Sequence, residues 1–122
     1  MGEQDEMSWR QAVERALGVL GGRWEVAILA ALAQGELHTN ELLAEINSID
    51  EEYGRHGHRR PLTHRVLKDT VTRMQRDGLL TEYREPTPHP SVQYKLTRRG
   101  QALLVALRPL AGWAQQAGGD TG

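Results

Sequence analysis

The stretch GRHGHRRPLTHRVLKD, residues 54–69, places four arginines, one lysine and three histidines in sixteen positions. Such residues serve three kinds of chemistry: imidazoles ligate metals, a histidine moves protons, and a run of cations binds a polyanion. His56-x-His58 together with His64 offers three imidazoles, but a structural site wants about four protein donors and no plausible fourth is evident. Arg59 and Arg60 beside them would repel a cation. No metal is expected. For catalysis, the chain has no G-x-S-x-G, H-E-x-x-H or P-loop pattern, and its serines are Ser8, Ser48 and Ser91, none in a nucleophile context. The expectation is a protein that is no enzyme and needs no cofactor. The histidines read equally well as solvated loop residues, whereas the arginines suit a surface for a polyanion.

Charge is segregated along the chain, although the formal net charge is only −1. Residues 1–53 carry eleven Asp/Glu against three Lys/Arg, and residues 54–99 carry four against eleven. The two segments therefore sum to −8 and +7. One region is built to meet negative charge and the other is not, which is the local footprint of a nucleic-acid binder. The absence of cysteine removes disulfides, thiolate zinc sites and thiol redox chemistry. The 122 residues, 39% apolar and 25% charged, fit one domain with one core. No apolar run approaches bilayer length, and the start MGEQDEM is acidic where a signal peptide is basic, so a cytoplasmic location without membrane contact is expected.

These cations must be positioned by helices. Ser8 with Gln11 can form a capping box ahead of Trp9, Val13, Ala16, Leu17 and Leu20, and Gly21-Gly22 stops that helix. A second helix is predicted from about Trp24 to Ala33, and a third, capped by Thr39, carries Leu42, Leu43 and Ile46 inward. Residues 47–61 show no apolar period and read as a loop. A fourth helix spans Thr63 to about Asp77. Leu79–Glu85 and Val92–Leu96 read as a hairpin around PTPHP. A last helix follows Thr97, interrupted at Pro109, and residues 1–7 and 118–122 are expected to be flexible ends around a single domain of residues 8–117.

Four helices, a hairpin and a helix is the order of a winged helix-turn-helix: mainly α, with a small β-hairpin wing and terminal dimerisation helices. At about 100° per residue, Leu67, Val71 and Met74 define the core side of the fourth helix. Arg65, Asp69, Thr72 and Arg76 then point the opposite way, with Lys68 and Arg73 flanking them. An ordinary solvated helix would mix acids with bases at i, i+4. Here Asp69 is the only acid between Gly54 and Arg76.

Three stretches carry a family resemblance: LGGRW (20–24), PLTHRVLKDTVTRMQRDGL (61–79) and PSVQYKLTRRG (90–100), with Trp113 at a matching place in the last helix. The sequence resembles the HxlR-type branch of the MarR-like winged helix-turn-helix transcription regulators. The resemblance implies a homodimer, held by terminal helices, that binds a palindromic operator near the genes it controls. GELHTNEL (35–42) departs from the family pattern at His38 and Thr39, and the lack of cysteine excludes the thiol sensing of some relatives. NSIDEEYGRHGHRRPL is longer than the family's usual connection, so the opening stretch is an addition to the motif.

The partners expected are double-stranded DNA and a second copy of the chain, with room for a small-molecule effector left open. Thr63, His64, Arg65, Lys68 and Asp69 lie toward the end of the helix that would enter the groove, with Arg65 the candidate for guanine. Arg73 further along, Arg55, Arg59 and Arg60 in the arm, and Thr87 and His89 at the wing tip are candidates for the backbone. Arg84 and Lys95 on the strands read equally as edge charges. Trp9, Trp24, His38 and Trp113 could line an effector pocket or a dimer interface, or belong to the core. A rival reading is a winged helix serving as a protein- or RNA-interaction module.

Overall fold

A computed structural model describes residues 7–22, 24–52 and 61–119. Its first helix, α1 (Trp9–Val19), starts at the capping box: Ser8 Oγ accepts from the Gln11 N–H at 3.1 Å, and Gln11 Oε1 accepts from the Ser8 N–H at 3.1 Å. None of its residues is buried, so α1 stands on the domain without entering its core. Helix α2 (Glu25–Leu32) is the opposite case, with Glu25, Ile28, Leu29 and Leu32 all buried. A two-residue strand, β1 (Leu37–His38), then leads into α3 (Thr39–Glu52).

Helix α4 (His64–Arg76) is capped by Thr63, whose hydroxyl accepts from the Val66 N–H at 3.2 Å. It buries Leu67, Thr70, Val71 and Met74 and leaves the opposite face to solvent. Strands β2 (Leu80–Arg84) and β3 (Val92–Leu96) follow, and β1 adds to β3 to give an antiparallel sheet in the order β1-β3-β2. Tyr94, opposite Leu37 on one side and Glu82 on the other, is fully buried at the sheet's centre. The core joins it to Trp24, Ile28 and Leu29 of the α2 region, Leu42 and Ile46 of α3, and Leu67, Val71 and Met74 of α4.

The last helix, α5 (Arg98–Gly119), is docked onto the end of α4 by Thr97. Its hydroxyl donates to the Gly78 carbonyl at 2.6 Å and accepts from the Gly100 N–H at 2.9 Å. Gly100 sits so close to the Leu79 carbonyl that a Cβ there would overlap it. The glycine of TRRG is thus a packing requirement.

Four local features differ from the sequence reading. The segment expected to be loop from residue 47 is helical to Glu52. No glycine or proline occurs between Ile46 and Gly54, and a missing apolar period does not by itself stop a helix. The interruption expected at Pro109 does not occur, since α5 runs through it. Proline removes the donor to the Val105 carbonyl and crowds it, at a residue that is 57% exposed. Strand β1 was not foreseen because two residues carry no alternation. Helix α5 also takes in Gly118 and Gly119, where a flexible tail was expected.

Candidate nucleic-acid interface

The start of α4 is fixed from two sides. Asn47 of α3 receives the backbone of Leu62 like a strand partner: its Oδ1 accepts from the Leu62 N–H at 2.8 Å and its Nδ2 donates to the Leu62 carbonyl at 3.0 Å. Leu62 is buried, and Thr63 then caps the helix. The register of every later α4 residue follows from that anchor.

Thr63, His64, Arg65, Lys68, Asp69, Thr72 and Arg76 are all exposed. Among the described residues, the side chains of Arg65, Lys68, Asp69 and Arg76 have no hydrogen-bond or ion-pair partner. Thr72 turns its hydroxyl back to the Lys68 carbonyl at 2.8 Å, and Thr70 does the same to the Val66 carbonyl at 2.7 Å. The stripe therefore presents free cations, while the Thr72 hydroxyl donor is spent on the helix backbone.

Arg73 differs from the other cations of α4. Its Nη2 meets Glu25 Oε2 at 2.5 Å, at the first position of α2. The Glu25 side chain is 2% exposed and that of Arg73 50%. A Cβ on Gly22 would run into both carboxylate oxygens, so the second glycine of LGGRW makes room for this carboxylate. Glu25 is a neighbour of the helix that the spacing of the sequence did not single out. The available signal was a lone charge in the apolar run WEVAILAAL.

At the wing, Thr87 and His89 are exposed, and Arg84 and Lys95 project from the strands. Arg84 lies 3.9 Å from Glu82. Arg55, Arg59 and Arg60, with His56 and His58, lie outside the described residues. Among the described residues no group of three or more His, Asp or Glu is arranged to hold a metal.

The four candidates for a pocket or interface do not come together in one pocket. Trp24 is 5% exposed in the core, while Trp9 and Trp113 are 82% and 65% exposed on the terminal helices. His38 belongs to the base of the wing, with Glu41 Oε1 2.8 Å from Nδ1 and Glu85 Oε1 3.1 Å from Nε2. A cleft of about 390 Å³ between α1 and the start of α5, lined by Arg15, Ala16, Val19, Leu79, Arg99 and Leu103 among others, includes none of the four. Equal helical spacing does not tell which aromatic the tertiary fold covers.

A basic helix face beside a three-stranded wing sheet matches a known arrangement. The family model described as HxlR-like helix-turn-helix matches residues 19–121. The chain belongs to the HxlR-like family. This HxlR-like chain is 28% identical over 107 residues to an HTH-type transcriptional regulator of Methanothermobacter thermautotrophicus, covering 88% of the chain and 72% of that relative. It superposes on a MarR-family transcriptional regulator of Enterococcus faecalis V583 with a TM-score of 0.79, at 26% identity, covering 94% and 93% of the two chains. The reduced form of the regulator YodB of B. subtilis shares the fold, with a TM-score of 0.66 at 22% identity over 91% and 94% of the chains. The HxlR-like chain is accordingly a transcriptional regulator with a helix-turn-helix domain, in a family of regulators and not of enzymes. Among the described residues no helix is long and apolar enough to cross a membrane.

Proposed function

We propose that this HxlR-like protein binds double-stranded DNA sequence-specifically, as a homodimer on a palindromic operator. The observation that carries the reading is the row of unpaired cations along α4, a helix whose start is anchored by Asn47 and Thr63. A cation with no partner of its own is free to replace the counterions of a phosphate backbone. Arg65, in the first turn, reads guanine with its planar fork, and Thr63, His64 and Asp69 stand at neighbouring base edges. Lys68, a point charge, takes phosphate, as do the arm residues Arg55, Arg59 and Arg60 and the wing residues Thr87 and His89.

Trp9, Val13 and Leu17 on α1 and Leu110 and Trp113 on α5 supply the dimer contact, since these apolar side chains are left exposed by the described residues. The cleft between α1 and α5 is where a small-molecule effector would act, because one wall is a terminal helix and another is Leu79, just past the exit of α4. Binding-site selection from random duplexes, using the full chain, tests the reading. Recovery of an inverted repeat supports it. Failure to retain any duplex at about 50 mM salt overturns it.

A further inference from the structure

Glu25 is the only fully buried acidic side chain among the described residues. Its Oε2 holds Arg73 Nη2 at 2.5 Å, and its other oxygen has no hydrogen-bond partner there. Both oxygens lie against Gly22, in the space that a side chain there would fill. Arg73 is therefore the only hold that this buried charge has in the described structure. Taking Arg73 away would leave an uncompensated carboxylate out of water, which is strongly unfavourable.

Arg65, Lys68 and Arg76 on the same helix carry no such tie. A phosphate can attract any of those three without disrupting an existing pair. Arg73 offers it a charge that Glu25 already offsets. Yet Arg73 is half exposed and flanks the basic face, so its charge would be in reach of a DNA strand running beside α4 if it were free.

We infer that Glu25 is a specificity-determining residue that acts through Arg73, withholding one recognition-helix charge from the DNA backbone. The inference rests on α4 being the DNA-reading helix, as proposed above. Its consequence follows from the nature of phosphate attraction, which is the same on every sequence. Each cation withheld from the backbone weakens random binding without removing a base contact. The operator must outcompete a large excess of random sites, so the ratio of the two affinities is what benefits.

Glu25→Gln keeps the size of the side chain and an acceptor oxygen for Arg73, but removes the charge. Wild type and variant are titrated on the selected operator and on a random duplex between about 50 and 200 mM salt. On the random duplex the variant should show a slope of log affinity against log salt steeper by about 0.9. Its affinity relative to wild type should then change about three- to fourfold across that range, with a lower operator-to-random ratio. The double variant Glu25→Gln/Arg73→Gln exchanges a buried ion pair for a neutral pair, an exchange that proteins commonly tolerate, and it should return the slope to that of wild type.

Circular dichroism and thermal melting establish that each variant is folded, and either variant alone is decisive. An unchanged or shallower slope in Glu25→Gln overturns the inference. So does a double variant shallower than wild type by about 0.9, which would mean that Arg73 touches phosphate in the native protein. A wild type that binds neither duplex overturns the regulator reading itself. A wild type that binds while the slopes fail to move overturns this inference alone.

Discussion

His38 and Glu85, forty-seven positions apart, meet at 3.1 Å between Nε2 and Oε1, tying β1 to the outer end of β2. Glu41 on the first turn of α3 takes the other ring nitrogen at 2.8 Å, and the Gln93 amide of β3 lies 3.1 Å from Nε2. The hydrogen bond to Glu85, then that to Glu41, hold the imidazolium above its ordinary value of 6.5. Glu41 is held below 4.5 by the His38 N–H and then its ring, and Glu85 by the Ser91 hydroxyl and then His38. The histidine's share of stability is complete below 6.5 and disappears as pH rises through its raised folded value. The carboxylates' share is complete above 4.5 and disappears as pH falls through their lowered values. The melting temperature of wild type minus that of His38→Gln should therefore peak between 4.5 and 6.5 and shrink on the alkaline side. A difference that grows with pH above that window would remove His38 from the link. These groups are solvent-exposed, so the effect is modest.

Arg65 and Lys68 share the exposed face of α4 but should behave differently toward sequence. Arg65→Ala should cost about 1–3 kcal/mol on the operator and much less on a random duplex, as loss of a bidentate guanine contact does. Lys68→Ala should weaken both by similar factors. Paired fluorescence-anisotropy titrations at one salt concentration read the difference. Equal losses for Arg65→Ala on both duplexes would make it a phosphate contact.

Trp113, 65% exposed on α5, is expected to be an anchor of the dimer. Trp113→Asp should shift the chain from dimer to monomer in sedimentation velocity while keeping the helical circular-dichroism spectrum. Unchanged dimer mass in a folded variant would place the interface elsewhere.

Gly100→Ala tests the docking of α5. The added methyl would overlap the Leu79 carbonyl, and backbone cannot rotate aside as a side chain does. The expected loss is about 1–3 kcal/mol, read as a lower midpoint in urea at constant slope. A midpoint equal to that of wild type would show that the close approach is not rigid.

The parts of the fold written in neighbouring residues were legible. The Ser8–Gln11 capping box, the opening of a helix near Thr63 and the wing strands depend on residues a few positions apart, and each formed where the pattern indicated. The exposed stripe of α4 followed from helical geometry alone. What stayed illegible depends on distant partners. Strand β1 exists because Leu37 and His38 pair with Tyr94 and Gln93, and nothing in two residues announces that. The union of Glu25 with Arg73 spans forty-eight positions. The three tryptophans sit in similar apolar periods, yet only Trp24 lies under other elements.

The paired bonds between Asn47 and Leu62 close the intervening stretch at its base, as a drawstring closes a bag. Whatever length of chain lies between those two residues, its ends are delivered to the same place and α4 begins in the same orientation. Doubling the length of such a closed segment costs only about 0.6 kcal/mol in closure entropy. Residues can thus be added, removed or recharged between those two positions while Asn47 keeps the start of α4 in place. A fluorophore or a crosslinker installed there would inherit the same insulation.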